Sequence, residues 1–120
     1  MATVDEMKGV PQFKLSELGL LSDERLGNII PKVLEDKIRI EENRALFVKQ
    51  RKSDIEKQLL VMTSVEQAIF KHFSGTLDIR EIAYRVSKRH DLEIEEAFQA
   101  TKNLFLNLAK YCVCFPVNIV

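Results

Sequence analysis

Tryptophan is absent, glycine occurs four times, proline three times and cysteine twice, and charge cancels, with 18 basic against 18 acidic residues. Each shortage excludes something. Cys112 and Cys114 are too few for a secreted disulfide framework, and a bond between them would be strained, because side chains two apart in a strand run parallel. They are expected as small apolar residues of a terminal strand. A zinc site needs about four ligands, and the only histidines are His72 and His90, so neither metal nor cofactor is expected. Charge neutrality removes a general attraction to nucleic acid or acidic membrane. No run approaches the roughly 18 consecutive apolar residues of a membrane span. The opening, Met1-Ala2-Thr3-Val4-Asp5-Glu6, lacks the basic-then-apolar order of a signal peptide, and a cytoplasmic location is the expectation.

Catalytic constellations are missing too. No glycine-rich phosphate loop occurs, and the histidines stand in no spacing with Ser, Cys or Asp that singles out a nucleophile. Glu95 and Glu96 are neighbours on an expected helix, about 100° apart, and so form no carboxylate pair. The chain is expected not to be an enzyme.

What is present is organised by periodicity. Length sets one domain, expected over 22–120 after an irregular segment 1–21. Ser22 before Asp23 and Glu24 is an N-cap followed by acids suited to a helix dipole, which predicts a short helix over 23–30. Pro31 then fits the first turn of a new helix. From Lys32 to Ser74 there is neither glycine nor proline. A heptad register through Leu34, Ile38, Glu41, Ala45, Val48, Lys52, Ile55, Leu59 and Met62 is broken only by Glu41 and Lys52. This predicts a helical arm over 22–62, its long helix of about 30 residues reaching about 45 Å. The stripe either folds back on the rest of the chain or joins two copies through Leu34, Ile38, Val48, Ile55 and Leu59, a coiled-coil homodimer. Strands are the rival reading: Lys37-Ile38-Arg39-Ile40-Glu41 alternates, and 45–48 and 59–62 are short apolar runs. The connector 49–58 holds no glycine to turn a hairpin, which favours the helix.

The head, 63–120, is clearer. Ser64-Val65-Glu66-Gln67 has the capping-box pattern, and Val65, Ala68, Ile69 and Phe73 share one face until Gly75 supplies a left-handed end, giving a helix over 64–73. Asp78 caps a second helix carrying Ile79, Ile82, Ala83 and Val86 as far as His90. A third over 93–110 carries Ile94, Ala97, Phe98, Thr101, Leu104, Phe105 and Leu108 at spacings of three and four. The segment 111–120 is a strand or strap over the core. The expected fold is therefore mostly α, a long N-terminal helical arm and a three-helix winged-helix-like head with a short C-terminal strand. Its core is expected to gather Ile69, Phe73, Ile82, Val86, Phe98, Leu104, Phe105 and Leu108.

The stretch Phe73-Ser74-Gly75-Thr76-Leu77-Asp78-Ile79-Arg80-Glu81-Ile82-Ala83 resembles the "DGT-x-T-V-x-E-I-A" segment of PqqD-like domains, which recognise precursor peptides in peptide-modifying pathways. Leu104-Phe105-Leu106-Asn107-Leu108 is similar to that family's closing "FL-x-x-L". The resemblance spans about residues 59–115; Ser74 replaces the usual aspartate, and the family's N-terminal three-stranded part is not evident in residues 22–58. The resemblance implies an extended peptide added to the edge at Leu59, Leu60, Val61 and Met62, against Lys102 and Phe105 of the third helix.

Two other readings stand beside it. A winged-helix nucleic-acid-binding protein would use Arg85, Lys88 and Arg89, the best basic patch. Duplex binding is not expected, however, because the third helix opens with Glu93, Glu95 and Glu96, which phosphates repel. The third reading is a coiled-coil structural adaptor. Strands within 37–62 would revive the peptide-binding fold, and a helix there would favour the adaptor.

Overall fold

Strands fill the segment expected to be a long helix. The computed structural model describes residues 21–49 and 55–118, and in it the chain is a mixed α/β domain. Ser22 caps α1 (Asp23–Gly27), its hydroxyl accepting from the Arg25 N–H at 3.3 Å. Pro31 opens a strand rather than a helix: β1 (Pro31–Val33) pairs antiparallel with β5 (Cys114–Pro116), Val33 opposite Cys114. Asn118 locks this ribbon, its amide nitrogen donating to Asn28 O at 2.7 Å and its Oδ1 accepting from the Ile30 N–H at 2.9 Å.

A 3-10 turn (Glu35–Lys37) leads into β2 (Ile38–Ile40), β3 (Ala45–Lys49) and β4 (Glu56–Val61), an antiparallel sheet in the order β2-β3-β4. The expectations of a mostly α fold and a coiled-coil arm are thereby corrected. The seam residues do not share a helix. Leu34 precedes the 3-10 turn, Ile38 and Val48 are cross-strand partners, Ile55 precedes β4, and Leu59 lies on β4. Lys52 lies outside the described residues. The physical reason is the turn between β2 and β3, made without glycine. Arg44 takes the left-handed conformation at φ 68°, its N–H bonded to Glu41 O at 2.8 Å, while Asn43 Oδ1 accepts from the Ala45 N–H at 3.1 Å. Asparagine offers a side-chain acceptor that stands in for a backbone turn. Once the chain reverses there, Leu46 and Val48 of β3 sit in the core at 0% and 3% exposure, with Ile38 of β2 half-buried opposite Val48, while Ile40 stays exposed.

The helical head follows the sequence closely. Thr63, one residue before the expected cap, closes the capping box of α2 (Ser64–Phe70): its hydroxyl accepts from the Glu66 N–H at 3.0 Å and Glu66 Oε1 accepts from the Thr63 N–H at 2.9 Å. The chain continues in turns to Gly75 at φ 86°. Asp78 caps α3 (Ile79–His90), accepting from the Glu81 N–H at 2.7 Å, and the helix ends on Asp91 in the left-handed region. Glu93 precedes α4 (Ile94–Lys110). Ile69, Phe73, Ile82, Val86, Leu104, Phe105 and Leu108 are buried together, and Phe98 packs on them half-buried. Leu46 and Val48 of β3, and Met62 just past β4, belong to the same core, so sheet and helices share one apolar interior.

Candidate peptide-docking edge

β4 offers backbone as well as side chains. It pairs with β3 along one side, and among the described residues nothing pairs with the other. Alternation fixes which groups face outward. Met62 donates its N–H to Arg44 O at 2.9 Å, so in an antiparallel ladder the backbone of Leu60, opposite Leu46, also faces β3, and that of Val61 turns to the open side. A register shift opposite Leu46 and Phe47 puts a bulge near Leu59. Leu59 and Leu60 are half-buried, Val61 is 52% exposed and Met62 is in the core. Of the four residues named from the resemblance, three thus remain reachable, and Met62 is packing.

The helix side differs from the expectation. Phe105 is fully buried, edge-on to Phe73 with ring centroids 6.4 Å apart. The Lys102 ammonium sits 3.1 Å from Asp23 Oδ1 and its side chain is 17% exposed, because α1 packs beside it. Neither is available as a groove wall. The residue that the fold brings to β4 is Tyr111, just past α4, with the Lys57 ammonium 5.7 Å from its ring centre. Sequence spacing could not reveal Tyr111, because the contact depends on where α4 ends relative to the sheet.

The outward face of the sheet carries Arg39, its guanidinium 4.4 Å above the Phe47 ring and bonded to Glu41 Oε2 at 2.7 Å and Glu56 Oε1 at 2.9 Å. Those bonds, Glu41 first, hold its pKa above the ordinary value. Glu56 is thereby tied back towards β2, which leaves Gln58 and Lys57 as the exposed polar groups of β4.

A second concavity, of 670 Å³, lies between the β1–β2 region and α2, with Val33, Leu34, Ile40, Phe70 and Phe73 along it. The β2 edge beside it is only three residues long, and the Ile38 N–H is already taken by Glu35 O. Arg85, Lys88 and Arg89 gather in a separate cleft with Ala68, His72 and Tyr84. Burial first, and then the charges of Arg85 and Arg89, push the His72 pKa below the usual imidazole value.

Among the described residues no group of three His, Cys, Asp or Glu is placed to hold a metal ion, and no helix is long and apolar enough to cross a membrane. Comparison with protein-family models, with curated proteins and with solved structures finds no match to this chain.

Proposed function

We propose that this chain is a non-enzymatic recognition module that captures an extended segment of a protein or peptide partner as an added strand on β4. The open edge of β4 carries this reading. It is six residues long, and its outward N–H and C=O groups can bond a partner backbone while Leu59 and Val61 give apolar contact. The order of three strands followed by three helices supports the resemblance to PqqD-like domains, since residues 38–61 supply the sheet that a helical arm would have left out. A cytoplasmic setting belongs to the same proposal, supported by the free thiols of Cys112 and Cys114. The nucleic-acid reading is disfavoured by exposed Glu93, Glu95 and Glu96 at the start of α4.

Val61→Pro tests the proposal. At an edge position whose N–H faces solvent, proline removes one donor without breaking the ladder to β3. Peptides selected by the parent from a random library should bind it with protection of β4 amides from hydrogen exchange, and should lose affinity for Val61→Pro by about tenfold, as expected for one backbone bond plus the local steric block. Selected peptides that bind both proteins equally, or that protect other segments, refute docking on this edge. A homodimer made by pairing two β4 edges would appear as self-association of the parent in sedimentation, abolished by the same substitution.

A further inference from the structure

The cleft between α2 and α3 carries an inference independent of strand addition. α2 and the turn after it supply Ala68 and His72, α3 supplies Tyr84, Arg85, Val86, Lys88 and Arg89, and the space between is 480 Å³. Positions 85, 88 and 89 stand three and four apart, so the three cations share one face of α3. Their partners are few. Arg85 Nε bonds Glu81 Oε2 at 3.0 Å and its terminal nitrogens are outside that bond; Lys88 lies 5.3 Å from the Tyr84 ring centre; the Arg89 guanidinium has no hydrogen bond or ion pair among the described residues. Three positive charges, set against the one Glu81 carboxylate and about half a negative charge from the end of α3, leave a surplus of about one and a half. The C-cap Asp91 is not among the residues lining the cleft. Solvated lysines would repel one another and spread, whereas two arginines on adjacent turns present planar forks suited to an oxyanion.

We infer that this cleft is a binding site for one tetrahedral oxyanion, a phosphate or sulfate group, held by Arg85, Lys88 and Arg89 with His72 from the neighbouring turn. The imidazole is the built-in reporter. The charges that act on it, Arg85 and Arg89, both come from α3; α4, which also packs on α2, contributes none. A bound dianion offsets those two charges, so it favours protonated His72, and protonation in turn tightens the anion by the same factor.

The test is the proton titration of the His72 ring, followed by NMR as sulfate replaces chloride at constant ionic strength. Sulfate stays doubly charged through the imidazole range, so the shift reports the protein. His72 should titrate at higher pH with saturable dependence on sulfate. Arg89→Gln, at an exposed position that leaves the fold intact, should raise the half-saturating sulfate concentration about tenfold or more, the loss of a hydrogen bond to a charged group. Lys110→Gln, on α4, should leave it unchanged. A phosphoserine peptide of otherwise uncharged sequence that saturates well below inorganic phosphate assigns the group to a protein partner; equal concentrations assign it to the free anion. The inference is overturned if chloride reproduces the shift, if Arg89→Gln leaves the sulfate dependence as it was, or if random duplex DNA binds below micromolar concentration through these three cations.

Discussion

Arg44 distinguishes the sheet from the helix by the sign of a stability difference. In the turn between β2 and β3 it holds φ 68°, a conformation that costs a residue with a Cβ about 1 kcal/mol or more and glycine almost nothing. Comparing Arg44→Gly with Arg44→Ala removes the arginine stem from both, so only the backbone term differs. Glycine gives back part of its gain through the larger entropy of its unfolded chain, about 0.5–1 kcal/mol. The net expectation is Arg44→Gly equal to or more stable than Arg44→Ala, by up to about 1 kcal/mol. In the interior of a 30-residue helix the order reverses, with alanine ahead by about 1 kcal/mol. The two architectures are therefore separated by about 1–2 kcal/mol at one position. Urea unfolding with equal slopes for the two variants reads this directly as a difference in midpoints. Arg44→Ala more stable than Arg44→Gly by about 1 kcal/mol would refute the turn, and with it the β2–β3 hairpin.

Phe105→Ala should destabilise by about 3–5 kcal/mol in the same assay, since its ring is fully buried against Phe73; a loss under about 0.5 kcal/mol would place Phe105 at a surface. The two thiols should differ sharply. Cys114 is buried in β5, and burial pushes its pKa up to about 12, so it stays a protonated thiol through pH 8, whereas Cys112 is exposed in the turn before it. Iodoacetamide at pH 8 should modify Cys112 in the folded protein and reach Cys114 only on unfolding, read by mass after digestion; equal rates would contradict the placement of β5.

Local chemistry alone determined the head. Caps and helix ends involve residues three or four apart, so Asp78, Gly75 and the stripe from Ile69 to Leu108 were legible, and even the shift of the α2 cap from Ser64 to Thr63 stays within one residue. The arm was not legible, because apolar residues at spacings of three and four also satisfy short strands once a reversal is inserted, and the reversal here rests on Asn43 and a left-handed Arg44 rather than on glycine. The candidate site divides in the same way. Leu59, Leu60 and Val61 could be named from their run, but whether they lie at an edge depends on β3 pairing with only one side of β4. Lys102 and Phe105 were misplaced as groove walls because helix spacing gives a face without saying what covers it. Docking of α1 took Lys102 through Asp23, and the core took Phe105. Sequence periodicity reports which residues move together on one element; contacts between elements far apart in the chain follow only when burial of the whole apolar surface selects one arrangement.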